Sequence, residues 1–440
     1  MSRLPHGRRR WVLVGVLAAL VAVAATAAFM ASRSERDISN ADVEFVETAP
    51  PTPTQTVPEE PPARHPADDG FTWPVYGYDK ARTHVLPLNR ELRPPFRQAW
   101  AERGRVLLEF TPVLCGRSLF LLKNNGALYR ISRTTGKVLW TRKLGYLAAS
   151  SPACGGASVY VVLLQRGKGI KGGRVVALRQ KSGRTRWSRK LPSRAESSPL
   201  LDRGRLIFGT EDGTVYNLRA SDGQIRWRYK ASGAVKSAVA LADGKLYFGD
   251  YDGRLHAIRR RDGKRVWTAG TRGAGFGLSS GQFYSTPSVA YGRVYIGNTD
   301  GNVYSFASRD GELAWRTGTG DYVYASPAVG EVAGGPPTVW LGSYDGTFYA
   351  LNAKTGAKRW TRKLGSKISG AATVVGDLVF FSDLGKKSSW ALGANTGKTV
   401  WKTRRGAFNP VISDGRRIYF NGYSSIFGLD PQGVRFRRER

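Results

Sequence analysis

Through most of the chain, short runs of apolar residues alternate with polar or small ones, and each run stops at a glycine turn. "KLYFGDYDGRLHAI", residues 245–258, is a representative stretch. "KLYFG" and "RLHAI" have the period-2 patterning of strands, and "YDG" between them has the chemistry of a hairpin turn. A second Asp-Gly or Thr-Gly turn follows. The next short strand then carries a tryptophan four residues after the turn glycine, as in "LNAKTGAKRW", residues 351–360. An apolar run after Ser-Pro, or its equivalent, opens each unit, so one unit predicts a four-stranded antiparallel meander.

The unit recurs. Trp140, Trp187, Trp227, Trp267, Trp315, Trp360 and Trp401 stand 40–48 residues apart, and Trp100 lies forty residues before the first of them. Four strands per 40–45-residue repeat is the pattern of a propeller blade. Eight tryptophans predict an all-β, eight-bladed β-propeller over residues 71–440, with a tryptophan on each outer strand docking against the neighbouring blade. The last blade has to be composite. Residues 410–430 supply three strands without a terminal tryptophan, and "FRQAW", residues 96–100, supplies a strand with no three before it. Pairing the two removes the open edges that an unclosed sheet exposes.

These units resemble the PQQ-type propeller repeat of quinoprotein dehydrogenases and of BamB-like envelope assembly proteins. The family's tryptophan-docking motif is best kept here by Ala353, Thr355, Gly356 and Trp360, and "WPVYGYDKART", residues 73–83, looks like the lead-in of such chains. The dehydrogenase branch implies a quinone over the ring centre, held with a calcium ion, a catalytic aspartate and a disulfide between adjacent cysteines. The BamB-like branch implies a non-catalytic scaffold that binds other proteins.

The N-terminal residues set the expected location. Residues 11–31 contain no charge and, at about 1.5 Å per helical residue, reach roughly 31 Å, one hydrocarbon thickness. Arg3, Arg8, Arg9 and Arg10 precede them, which predicts a cytoplasmic N-terminus (1–10), a membrane-spanning anchor (11–31) and an extracytoplasmic remainder. A cleaved signal peptide is the rival reading. Residues 32–70, rich in proline and carrying a net charge of −6, read as an extended, solvated tether. Of the formal net charge of +35, the part from residue 71 onward contributes +37. An exported domain so basic attracts anionic lipid headgroups, acidic polymers or acidic proteins; nucleic acid is not an expected partner outside the membrane.

The meander also fixes which loops share a face. Linkers between blades lie beside the middle hairpins on what is here termed the upper face. The first hairpins, and the turns before the tryptophans, lie on the lower face. Cys115 and Cys154, the only cysteines, both fall in first hairpins of adjacent blades. A disulfide is possible there, although their registers differ by one residue.

Candidate chemistry is sparse. His6, His65, His84 and His256 show no ligand spacing, and Asp212, Asp252, Asp300 and Asp345 each precede a glycine and serve turns. The cysteines are not adjacent, and no residue set matches the calcium ligands of the dehydrogenases, so no cofactor, metal or catalytic residue is expected. Departures from the repeat carry more information. From each tryptophan to the next blade's opening proline, or its equivalent, there are twelve residues in six of eight linkers, nine after Trp401 and twenty after Trp267. The long linker offers Arg272, Phe276, Phe283 and Tyr284 to the upper face. Its neighbour offers Tyr322 and Tyr324, and the enlarged middle hairpin of the second blade offers Arg166, Lys168 and Lys171. These nine are the candidate partner-binding residues of a monomeric envelope scaffold that binds proteins or acidic polymers.

Overall fold

The structure, a computed structural model, describes residues 37–47, 71–88, 92–271, 281–332 and 334–432. The chain divides into two units, Met1–Ile38 and Ser39–Arg440. The expected membrane anchor and basic N-terminus lie outside the described residues, among which no helix is long and apolar enough to cross a membrane.

Eight four-stranded antiparallel blades make up the second unit, seven of them running in sequence order from innermost to outermost strand. Blade 6 is typical, with strands Ala328–Gly330, Thr338–Gly342, Thr347–Asn352 and Lys358–Lys363. Its second strand is buried at every position and its fourth is mostly exposed, as expected where the middle strands are covered on both faces by neighbouring blades. The eighth blade is composite: Val411–Ser413, Ile418–Asn421 and Ile426–Pro431 are completed by Phe96–Glu102, with Gly428 opposite Trp100.

A β-bulge sits beside the tryptophan position in every blade; in blade 6 the register slips between Ala350, opposite Trp360, and Leu351, opposite Lys358. The extra residue twists the outer strand locally and turns the indole toward the next blade. There the ring meets that blade's turn glycine. Gly356 stands at φ 76°, and a Cβ on it would lie 2.8 Å from the Trp315 ring. The indole nitrogen of Trp315 donates to the Ala353 carbonyl at 2.9 Å. The same pair of contacts links Trp100 to blade 1 through Gly136 and the Arg133 carbonyl, and Trp140 to blade 2 through Gly183 and the Gln180 carbonyl. The turn glycine and the tryptophan of one repeat thus serve two different interfaces, one on each side of the blade.

Two segments outside the repeat complete the unit. Residues 71–88 cross the channel beneath its upper mouth. Thr72 and Trp73 pair with Cys115 and Leu114 of blade 1, and the Pro74 carbonyl accepts from Cys154 of blade 2 at 2.8 Å. The carbonyls of Lys80, Ala81, Thr83 and His84 then accept from Leu241, Val289, Val329 and Val374 at 2.7–2.9 Å, one innermost strand each of blades 4 to 7. Unpaired inner edges are costly to leave open, and this plug caps them. Arg82 anchors it. The residue is fully buried and donates to the carbonyls of Val239 and Ser198 at 3.0 and 3.4 Å, and to that of Tyr76.

The second segment departs from the expected solvated tether over residues 39–47; residues 32–36 and 48–70 of that stretch lie outside the described residues. Residues 39–47 pack against the outside of blade 5. Asn40 donates from its backbone to the Ala314 carbonyl at 2.7 Å, Val43 is buried, and Phe45 stacks on Tyr291 at 5.3 Å. Buried Arg293 donates to the Glu44 and Val43 carbonyls at 2.9 and 2.5 Å, while Glu44 faces Arg309 at 3.6 Å and Glu47 faces Lys354 at 3.4 Å. The acidic composition that reads as solvation is complementary to the basic wall. Blade 5 carries Thr317 and Gly318 where most outer strands carry Lys or Arg, so its edge can be covered.

Two outcomes are expected. Trp315 is fully buried and Trp360 only half-buried, so Trp315→Ala should cost about 3–5 kcal/mol in chemical denaturation, and Trp360→Ala distinctly less. Equal costs would contradict the docking account. In the plug, burial first and the Arg82 charge second bring the His84 pKa down to about 3. Because the unfolded chain takes up that proton near pH 6.5, stability contributed by neutral His84 is present above pH 6.5 and lost as pH falls toward 3. His84→Asn, which tolerates the observed φ of 56°, should flatten the stability profile between pH 6.5 and 5 by up to about 1.4 kcal/mol per pH unit relative to wild type.

Candidate functional site at the upper mouth of the ring

The linkers between blades end in a recurring Ser, Thr or Asn before proline, and these side chains interlock around the channel. Ser151 donates from its backbone to the Ser198 hydroxyl at 2.9 Å and from its own hydroxyl to the Thr111 carbonyl at 2.8 Å. Thr286 and Ser326 repeat the contact at 3.0 Å, and Asn409 joins Ala371 at 2.9 Å to Glu109 at 2.7 Å. Tyr76 of the plug is the floor. Its hydroxyl donates toward Asn409 at 3.2 Å and Ser326 at 3.4 Å, and burial pushes its pKa up to about 12.

Above this belt lies a cavity of about 40 Å³ whose rim is set, in six of the eight linkers, by the second residue before the closing Ser, Thr or Asn or its equivalent: Glu109, Glu196, Lys236, Tyr284, Tyr324 and Ser369. Lys236 bridges Glu196 at 2.8 Å and Glu211 at 3.3 Å, and lies 4.9 Å from the Tyr251 ring centre. Burial raises the pKa of both Glu109 and Glu196; an Asn124 amide offsets it for Glu109 and Lys236 for Glu196. From Lys236 an arc of tyrosines runs around the rim. Tyr251 and Tyr284 are 6.4 Å apart, Tyr284 and Tyr324 5.5 Å, Tyr324 and Tyr344 4.8 Å, and Tyr322 lies 6.0 Å from Tyr324. Lys367 closes the arc 5.0 Å from Tyr344.

The expected residues are distributed unevenly. Tyr284, Tyr322 and Tyr324 come together in the arc, joined by Tyr251 and Tyr344 from middle hairpins, which sequence reasoning missed. Phe283 is a correction: it is fully buried, and a Cβ on Gly249 would meet it at 2.2 Å. Val235, Val323 and Ile368 occupy the same place over Gly209, Gly297 and Gly342. Phe283 is therefore the inward-facing residue of a conserved-geometry linker, one step out of phase with Tyr284. Aligning linkers on their closing Ser/Thr-Pro would have separated the two. Arg272 and Phe276 lie outside the described residues. Arg166 donates to the Leu191 carbonyl at 3.1 Å and so braces its hairpin, while Lys168 and Lys171 are exposed at the tip, away from the arc.

Elsewhere several titratable groups are committed to structure. Asp300 and Asp345 accept from the backbone two residues on, at 2.9 and 2.6 Å. In blade 4 that work passes from Asp252 to Asp250, which accepts from the Asp252 and Arg254 backbones and holds His256 at 3.0 Å. Burial raises the Asp250 pKa, but these hydrogen bonds prevail and bring it down to about 2. Arg142 and Arg189, two of the basic residues after the tryptophans, donate to the turn-glycine carbonyls Gly183 and Gly223 of the next blade at 3.1 and 2.7 Å. Cys115 and Cys154 form a disulfide between blades 1 and 2, with Cα atoms 6.4 Å apart.

The mouth does not suit the cofactor that the dehydrogenase branch implies. Pyrroloquinoline quinone is a planar tricarboxylate, whereas ligand pockets occupy about 300–1,000 Å³ and this cavity has about 40 Å³. Its one lysine, Lys236, is already engaged by Glu196 and Glu211. Among the described residues this leaves no free cation at the cavity for three carboxylates, and no group of three His, Cys, Asp or Glu could hold a metal.

Eight tryptophan-docked blades around a plugged channel define an all-β, eight-bladed propeller of the quinoprotein-repeat class. Within that class, the chain belongs to the PQQ-repeat family described as outer membrane protein assembly factor BamB, whose model matches residues 124–318 and 299–437. BamB from Moraxella catarrhalis is similar in structure with a TM-score of 0.61 and 19% identity, over 77% of this chain and 99% of that one. The quinohemoprotein alcohol dehydrogenase ADHIIG from Pseudomonas putida HK5 gives 0.68 and 12%, over 87% and 84%. A europium-containing methanol dehydrogenase gives 0.65 and 13%, over 82% and 91%. At these identities the likeness is one of fold. No curated protein sequence matches the chain.

The disulfide joins residues 39 apart, next to the strand where the plug begins. Replacing both cysteines by serine should lower stability by about 2–4 kcal/mol, read by denaturant midpoint. A loss below about 0.5 kcal/mol would show that the staple does not constrain the ring.

Proposed function

We propose that this chain is a non-catalytic docking scaffold of the cell envelope that presents its upper mouth to protein partners. The reading includes residues 11–31 as the anchor that holds a monomeric propeller on the outer side of the cytoplasmic membrane. Its main support is the tyrosine arc. Tyr251, Tyr284, Tyr322, Tyr324 and Tyr344 are contiguous around a mouth that Tyr76 and the plug close from below. Tyrosine is enriched at protein interfaces, where its ring buries area and its hydroxyl stays wet. A closed, shallow rim of such residues is suited to a protein surface and poorly suited to a small substrate. Membership of the BamB family favours the same reading, and no quinone or calcium is part of it.

A photo-crosslinking residue at Tyr322 or Tyr344, in intact membranes, should give discrete protein adducts, and the same probe at Lys358 on the outer wall should not. The double variant Tyr322→Ser with Tyr344→Ser should weaken recovery of those partners at least about tenfold. Adducts no stronger than those at Lys358 would refute the scaffold. Dye reduction by the purified protein, supplied with pyrroloquinoline quinone, calcium and an alcohol, would refute the non-catalytic assignment.

A further inference from the structure

On the outer wall, away from the mouth, the outermost strands of blades 2 and 3 flank a basic groove. Their outermost strands, Thr185–Lys190 and Ile225–Lys230, contain six basic residues in twelve and no acidic one. Between them lies a groove of about 280 Å³, bounded by Arg189, Lys190 and Leu191 on one side and by Tyr216, Ile225 and Arg228 on the other. Among the described residues Lys190 and Arg228 have no carboxylate partner. Arg189 uses its Nε on the Gly223 carbonyl at 2.7 Å, which leaves its terminal nitrogens to the groove. The Arg228 guanidinium lies 5.6 Å from the Tyr216 ring centre.

Tyr216 is the informative residue. Four positions after the turn aspartate, blades 5 and 6 also carry a tyrosine. Tyr304 donates to Asp300 and Tyr349 to Asp345, each at 2.5 Å. Blade 4 replaces the pair by His256 and Asp250. In blade 3 Tyr216 and Asp212 form no such bond: Asp212 keeps the contact with the backbone two residues on, accepting from Thr214 at 3.1 Å, and takes the Thr210 hydroxyl at 2.6 Å. The Tyr216 side chain is only 5% exposed, yet its hydroxyl has no hydrogen-bond partner among the described residues. The ring is packed away while the hydroxyl opens to solvent in a groove rimmed by three cations, where it is free to donate to a ligand.

We propose that the groove binds a phosphodiester group of an anionic envelope polymer. Two guanidinium forks and an ammonium supply charge-assisted donors to the non-bridging oxygens, for which arginine geometry is suited. The Tyr216 hydroxyl donates to a further phosphate oxygen, and the half-buried Ile225 packs against the carbons that link successive phosphates. The exposed Arg186 and Arg226 extend the positive track beyond the groove. This surface is distinct from the tyrosine arc, so either assignment can fail without the other.

The test uses the full-length protein in detergent micelles with poly(glycerol phosphate) as probe. Lys190→Gln with Arg228→Gln should weaken binding about tenfold. An equal charge removal on blade 6, Lys358→Gln with Arg362→Gln, should weaken it less than about threefold. Tyr216→Phe should lose about fivefold while leaving the thermal midpoint unchanged, because only the hydroxyl is removed. Equal losses in the two charge pairs, or no loss with Tyr216→Phe, would reduce the groove to general electrostatics and overturn the proposal. Equal affinity for poly-glutamate would overturn the phosphodiester assignment. Stronger binding to vesicles of phosphatidylglycerol in phosphatidylcholine, with the same dependence on the variants, would overturn the polymer as its source.

Discussion

The structure rests on one contact made at seven of the eight blade junctions: an indole face laid against a glycine that has no side chain to hold it off. At Gly136, Gly183, Gly223, Gly263, Gly311, Gly356 and Gly397 a Cβ would enter the preceding blade's tryptophan. The positive φ of these glycines also closes the turn that starts the outer strand. One residue type thus solves two problems, the reversal of the chain and the approach of the next blade. The bulge before each tryptophan aims the ring, and at these seven junctions the indole N–H finds a carbonyl; Trp401 instead packs edge-on against Phe96 and Phe420.

Once blades are fixed this way, their innermost edges converge on a channel whose strands still have unpaired backbone groups. The plug answers that constraint, and by closing the channel it sets what the upper mouth can do. With Tyr76 as floor and the Ser/Thr/Asn belt as rim, little volume remains, and the exposed chemistry passes to the residues above the belt. The mouth is consequently mixed in character, with glutamates and a lysine on one side and tyrosines on the other. The strongly basic charge is displaced to the outer strands, where part of it latches neighbouring blades, as Arg142 and Arg189 do, and part faces solvent.

Much of this was legible in the chain. The tryptophan spacing carried the blade number, the meander and the composite eighth blade, because each depends on local turn chemistry repeated at a fixed interval. The plug was not legible: residues 71–88 have no counterpart to align with, and their pairing is with strands tens to hundreds of residues away. Residues 39–47 misled for a related reason, since acidic, proline-flanked sequence is soluble on its own and gains order only against Arg293, Arg309 and Lys354. At the mouth, Tyr284, Tyr322 and Tyr324 stood out as linker aromatics. Phe283 was mistaken for one of them because adjacent residues in an extended linker face opposite ways. Tyr251 and Tyr344 were hidden in hairpins that look like all the others.

The claim that the upper mouth is a protein-docking surface is tested most directly by hydrogen–deuterium exchange on the full-length chain, comparing native membranes with purified protein in detergent. The account predicts slower exchange in membranes at the linkers around Lys236, Tyr284 and Tyr324 and at the Tyr344 hairpin, with the lower-face turns unchanged. Protection absent from those linkers, or confined to the outer strands and lower face, would contradict it.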